Sequence, residues 1–203
     1  MKLYHSTTSP FVRKVMVSAT ELGLADRIET VPAKVSPIVR TSPVIADNPL
    51  GKLPTMIIEG GMVLYDSRVI CEYLDALAGG GRLFPAPGPA RWLALSEQAI
   101  ADGMTDAALL ERYETSLRSP DKMWPAWRDG QHDKVVKALD RMEQTSAGRD
   151  GRVDIGTIAT ACGLAYLDFR FPDFDWREGR ARLATWYAAF AARPAMAVTA
   201  PHE

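Results

Sequence analysis

Apolar and polar positions change rhythm part-way along the chain. Lys2-Leu3-Tyr4-His5-Ser6 alternates as a short strand does. Ser9-Pro10 then opens a helix, since serine caps well and proline suits the first helical position. Val12, Val15, Met16, Ala19 and Leu22 follow at helical spacing, and Gly23 is placed to close the helix. Ile28 to Val31 reads as a second strand. Residues 33–47 carry prolines, serines and weak periodicity, a loop with room for one helical turn. Thr55–Glu59 and Met62–Tyr65 flank Gly60-Gly61, a two-residue connection suited to a type I′ hairpin. Asp66-Ser67 starts a helix whose inner face carries Val69, Ile70, Tyr73, Leu74 and Leu77.

The order βαβ, loop, ββα predicts a small mixed sheet covered by helices. Its first two strands should be parallel and its last two antiparallel. Ala78 to Gly81 ends this unit, and Pro85, Pro87 and Pro89 mark a linker. Beyond it strand signals vanish, and helical periodicity covers roughly 90–116, 121–145, 155–170 and 178–192. The expected organisation is an α/β domain over 1–78, a linker over 79–89 and an all-helical domain over 90–203.

Composition narrows the function classes. The 203 residues are 47% hydrophobic with a formal charge of -1, which argues against disorder and against a dominant nucleic-acid role. No stretch approaches the roughly 20 apolar residues of a membrane span, and the N-terminus lacks the apolar core of a signal peptide. Cys71 and Cys162 sit in apolar, helix-like stretches and read as buried thiols in a reducing cytoplasm. His5, His132 and His202 show no ligand spacing, so no bound metal is expected.

Three motifs remain. Ser9-Pro10-Phe11-Val12 stands where a Cys-x-x-Cys pair stands in thioredoxin-like proteins, with both cysteine positions replaced. A hydroxyl at a helix N-terminus can serve another molecule's sulfur, or it can be a cap and nothing more. Asn48-Pro49-Leu50-Gly51-Lys52-Leu53-Pro54 precedes a strand; it is a turn with two prolines, or a cis-proline edge whose free backbone groups take an extended peptide, with Lys52 beside it for a carboxylate. Asp66-Ser67 is an ordinary helix cap, or a partner for the two charges of an amino-acid head.

In this order within one small α/β domain, the motifs resemble the glutathione S-transferase family. The Ser-Pro-Phe opening is similar to its bacterial Ser/Cys-type members. The resemblance covers nearly the whole chain and implies a thioredoxin-like N-terminal domain followed by an all-α C-terminal domain. Val153-Asp154-Ile155-Gly156-Thr157 resembles the start of the family's buried core helix, with the usual Ser/Thr-then-Asp pair reversed. Asp168 or Arg170, further along it, is expected to make a buried structural ion pair.

The resemblance also implies site residues. Ser9 would donate to the sulfur of glutathione, with Phe11 adjacent. Leu53, before a cis Pro54, would pair with the cysteinyl peptide. Lys52 and Arg40 would meet the glycine carboxylate, and Asp66 and Ser67 the γ-glutamyl head. Tyr113, Trp124 and Trp127 would line a pocket for a small electrophile, and Asp106 would reach glutathione across a homodimer. The implied reactions are conjugation and peroxide reduction; the alternative is a non-catalytic glutathione-binding or regulatory protein. Ser9 speaks against a thiol-disulfide cycle.

Overall fold

The computed structural model describes residues 1–203 and divides into two compact units, 1–91 with 194–203, and 92–193. In the first, β1 (Lys2–His5), β2 (Glu29–Pro32), β3 (Thr55–Ile57) and β4 (Val63–Leu64) form one sheet in the order β2-β1-β3-β4. β1 and β2 are parallel, and β3 is antiparallel to both β1 and β4. This is the mixed thioredoxin-like sheet expected from the pattern.

Register decides which loops meet. Tyr4, near the end of β1, lies opposite Thr55 at the start of β3, and Met56 lies opposite Leu64 at the end of β4. The exit of β1, the entrance of β3 and the exit of β4 therefore share one end of the sheet. Those are the segments carrying Ser9, Leu53-Pro54 and Asp66-Ser67.

Helices α1 (Pro10–Glu21), α2 (Val44–Asp47) and α3 (Ser67–Leu77) complete most of this unit. α1 packs on α3 and on a short C-terminal helix, α8 (Pro194–Val198). It is buried nearly all round: Val12, Val15 and Ala19 are joined in the core by Val17 and Ser18. Asp75 binds the linker, its carboxylate accepting from the N–H groups of Gly81, Arg82, Leu83 and Phe84.

The hairpin departs from the expected two-residue turn. Glu59, Gly60 and Gly61 form the connection, with Ile58 donating to Met62 O at 2.9 Å and both glycines at positive φ. The strands are shorter in consequence. The extra turn residue pulls Glu59 out of the ladder.

The second unit is helical, built on α4 (Pro89–Ser116), α5 (Pro125–Gln144), α6 (Ile155–Arg170) and α7 (Ala181–Ala191). α6 is its centre, buried from Ile155 through Leu167. Gly156 lets α4 approach closely, since a Cβ there would lie 2.8 Å from Ala94 O. The reversed cap works as a reciprocal box: Asp154 Oδ1 accepts from Gly156 and Thr157 N–H, and Thr157 Oγ1 accepts from Asp154 N. Arg152 bridges Asp154 and Glu97 at 2.6 and 2.8 Å, and Arg149 joins Glu97 at 3.2 Å.

Two expectations are corrected here. Asp168 does form a structural pair, with Arg177 at 2.7 and 2.8 Å and with Trp176 Nε1 at 2.8 Å, but its side chain is 33% exposed rather than buried. Residues 194–203 belong with the first unit, not with the helical domain expected over 90–203.

Candidate functional site

Ser9 caps α1 from an extended backbone (φ -86°, ψ 118°) with Pro10 in the first helical position. Its Oγ accepts from the Val12 N–H at 3.3 Å and donates no bond within the protein. The proton is free to point outward from a helix terminus whose remaining N–H groups favour negative charge. Neighbouring hydroxyls are engaged. Tyr4 donates to Asp47 Oδ2 at 2.7 Å, Thr7 to His202 O at 2.8 Å, and Ser6 and Thr8 bond each other at 3.1 Å. The bond to Asp47, then burial, push the Tyr4 phenol above its ordinary range. Tyr4 is thus a poor rival to Ser9. His5 is held below its usual range by burial and by His202.

The second segment is organised by a buried amide. Asn48 donates from Nδ2 to Thr55 Oγ1 at 2.9 Å and to Lys52 O at 3.3 Å, and its Oδ1 accepts from Leu50 N at 3.0 Å. Thr55 Oγ1 also donates to Lys52 O. The Leu53–Pro54 bond is cis, as the resemblance implied. With the carbonyl of Lys52 fastened from two sides, Leu53 follows in a fixed position, and no protein group bonds its N–H or C=O. The Lys52 side chain is exposed and meets no carboxylate.

Arg40 is exposed and holds the turn beside Lys52. Its Nη1 donates to Leu50 O at 2.6 Å and its Nη2 to Pro49 O at 2.8 Å. Gly51 permits this, with φ +60° and with Arg40 Nη1 2.7 Å from where a Cβ would stand. The guanidinium braces the turn that precedes Lys52. Sequence reasoning quoted Asn48 without giving it a role; the Asn-Pro-x-Gly turn signature was the available signal.

Asp66 caps α3, with Oδ1 accepting from Arg68 N at 2.9 Å. It is exposed, and Oδ2 takes no bond within the protein. Ser67 is 2% exposed at the first position of α3, and the Tyr65–Asp66 bond is cis. One end of the sheet thus presents a free hydroxyl, an unpaired backbone edge, a free ammonium and a half-free carboxylate. That set complements a zwitterionic peptide carrying a thiol.

Phe11 is half-buried on α1, with Lys14 Nζ 5.8 Å from its ring centre. In the second unit, Tyr113 is half-buried on α4, its phenol raised by burial, and Asp106 lies exposed on the same helix. Trp124 precedes α5 with 65% of its surface exposed and donates its backbone N–H to Glu114 Oε1 at 2.8 Å; Trp127 is half-buried one turn on. A cavity of about 540 Å³ in this unit, between Ser146–Val153 and α7, is lined by none of the site residues that the resemblance implied. Three of its arginines are matched by carboxylates: Arg149 and Arg152 by Glu97, and Arg182 by Glu143.

No cluster of His, Cys, Asp and Glu could hold a metal ion, and no helix is long and apolar enough to cross a membrane.

Comparison with known proteins agrees with this geometry. Residues 8–77 match the glutathione S-transferase N-terminal domain, and residues 125–189 the C-terminal domain. A glutathione transferase family member from Pseudomonas fluorescens Pf-5, solved with bound glutathione, is 45% identical, with a TM-score of 0.97 over 100% of this chain and 99% of that one. A glutathione S-transferase from Methylobacillus flagellatus, also solved with glutathione, is 36% identical, with a TM-score of 0.88 over 99% of each chain. The uncharacterized GST-like protein YibF of Escherichia coli K12 is 30% identical over 99% of this chain and 98% of its own length. The chain belongs to the glutathione S-transferase family.

Proposed function

We propose that the protein binds glutathione at this end of the sheet and activates its thiol for transfer to small electrophiles or for peroxide reduction. The observation that carries the reading is the convergence of Ser9, Leu53-Pro54 and Asp66-Ser67 through the β1, β3 and β4 register. The two relatives solved with glutathione bound support it.

In this reading the backbone of Leu53 pairs with the cysteinyl peptide. Asp66 takes the ammonium, through the carboxylate oxygen its cap leaves open, and Ser67 takes the γ-glutamyl carboxylate. Lys52 meets the glycine carboxylate, and Arg40 acts on that contact by holding the Pro49–Gly51 turn. Ser9 donates to the sulfur. A free thiol of pKa about 8.5 is only a few per cent ionised at pH 7, and a two-unit drop needs about 2.7 kcal/mol. One charge-assisted hydrogen bond and a helix terminus supply roughly that much. Ser9 is not a covalent nucleophile here, because no His-Asp pair is placed to activate it. Phe11 is assigned to the glutathione side beside Ser9, Tyr113, Trp124 and Trp127 to the electrophile, Asp106 to a cross-subunit contact in a homodimer, and the compartment is the cytoplasm.

Calorimetry with glutathione, followed by turnover over a panel of electrophiles and hydroperoxides, tests the reading. Saturable binding with turnover is expected. Binding without turnover across the panel would favour the non-catalytic alternative, and no binding would refute both.

A further inference from the structure

Arg13 and Thr7 stand on either side of Ser9, and the glutathione reading leaves both without a task. Arg13 lies one helical turn after Ser9 and is 9% exposed. It meets no carboxylate. Its Nη2 donates to Met196 O at 2.9 Å and its Nε to Thr199 Oγ1 at 3.4 Å, while Nη1 is buried without a partner. Thr199 Oγ1 in turn donates to Ala195 O at 2.7 Å. Two residues before Ser9, Thr7 Oγ1 donates to His202 O at 2.8 Å.

A buried guanidinium that meets only neutral acceptors is a costly way to dock a helix of five residues. An apolar side chain of similar volume would pack α8 against α1 without that cost. What the arginine adds is direction, since its planar fork fixes where the end of α8 sits. The chain that follows α8 is then stitched to Thr7 in the loop that presents Ser9. The Ser9 side chain is itself held only by the long bond from Val12.

We propose that Arg13 and Thr7 are positioning residues which, with the C-terminal segment 194–202, form a strap that fixes the Ser6–Ser9 loop and the direction of the Ser9 hydroxyl. The inference rests on the reading of Ser9 as the sulfur's donor. Leu53, Asp66 and Ser67 take no part in the hydrogen bonds that hold the strap. Loosening it therefore changes sulfur ionisation and turnover while the affinity for glutathione with its thiol protonated stays nearly constant.

The test measures the thiolate absorbance of bound glutathione against pH, together with kcat, KM and Tm. Arg13→Met should raise the pKa of the bound thiol by about one unit, a tenfold loss in the thiolate-to-thiol ratio, with affinity unchanged within about twofold when measured at a pH where the bound thiol is protonated. Arg13→Lys should recover part of the shift, through one donor to Met196 O. Thr7→Val leaves the core intact and should raise the pKa by about half a unit, so it carries the test if Arg13→Met does not fold. In a Ser9→Ala background, Thr7→Val should shift nothing further, because the hydroxyl it positions is gone. An equal shift in that background, or no shift from Thr7→Val in the unaltered one, would overturn the strap while leaving the glutathione reading standing. If the unaltered protein does not bind glutathione, that reading fails and the strap's role with it.

Discussion

Ser9 meets two conditions at once: its oxygen satisfies an orphan N–H of α1, and its proton remains available. The cap was legible because capping is local; the free proton was not, because it depends on what Tyr4, Thr7 and Thr8 bond instead. Ser9→Cys should restore a thiol at the helix terminus and form a mixed disulfide with glutathione disulfide. Mass spectrometry should find the adduct at position 9, and its absence would mean that the site is not where the sulfur lies. Asp66 also has two tasks, cap and ligand, and one substitution separates them. Asp66→Asn keeps a good cap but removes the charge. Glutathione affinity should fall about tenfold or more while Tm holds, since hydrogen bonds to charged groups are worth about 1.5–3 kcal/mol. Arg40 shows what residue-level reading did not reach. The resemblance gave it a carboxylate; within the protein it donates to the carbonyls of a turn whose shape Gly51 and Asn48 set.

At the scale of elements, helices with strong caps fall where the pattern put them. α1, α3 and α6 each start at a residue whose side chain bonds the first turn. α7 has no such cap of its own and starts at Ala181 rather than near 178. Glu143, at the end of α5, reaches across to accept from Leu183 N at 2.7 Å and Arg182 N at 3.4 Å. A cap supplied by another helix leaves no trace in local sequence. Burial alone would raise the Glu143 pKa, but those N–H groups and the Arg182 guanidinium more than offset it, so it lies below the ordinary value of 4.5. A depressed carboxyl stabilises the fold above its unfolded pKa and loses that contribution as pH falls through its folded one. Glu143→Gln should therefore flatten the dependence of stability on pH below about 4.5, read by urea unfolding at several pH values. A slope equal to that of the unaltered protein would contradict the role. Asp154→Ala removes the reciprocal cap and leaves Arg149 and Arg152 with Glu97 alone, so it should cost about 3 kcal/mol. Urea unfolding measures that too, and a loss under about 1 kcal/mol would show the box to be dispensable.

At the scale of the whole molecule, the change from alternating strand and helix signals to helices alone foretold an α/β unit followed by a helical one. The return of residues 194–203 to the first unit was not legible. It depends on Arg13 meeting carbonyl and hydroxyl groups more than 180 positions away, and neither end of that contact carries a local signature. The convergence of three loops at one end of the sheet followed from strand order and register, which the pattern of the first eighty residues supplied in outline. The central claim is that this end holds the glutathione thiol as thiolate against Ser9. Ultraviolet titration of bound glutathione in the unaltered protein and in Ser9→Ala tests it most directly. The account predicts an apparent pKa well below the free value of about 8.5, rising by a unit or more in Ser9→Ala with binding retained. Equal pKa values in the two proteins, or a bound thiol that titrates as the free one does, would contradict it.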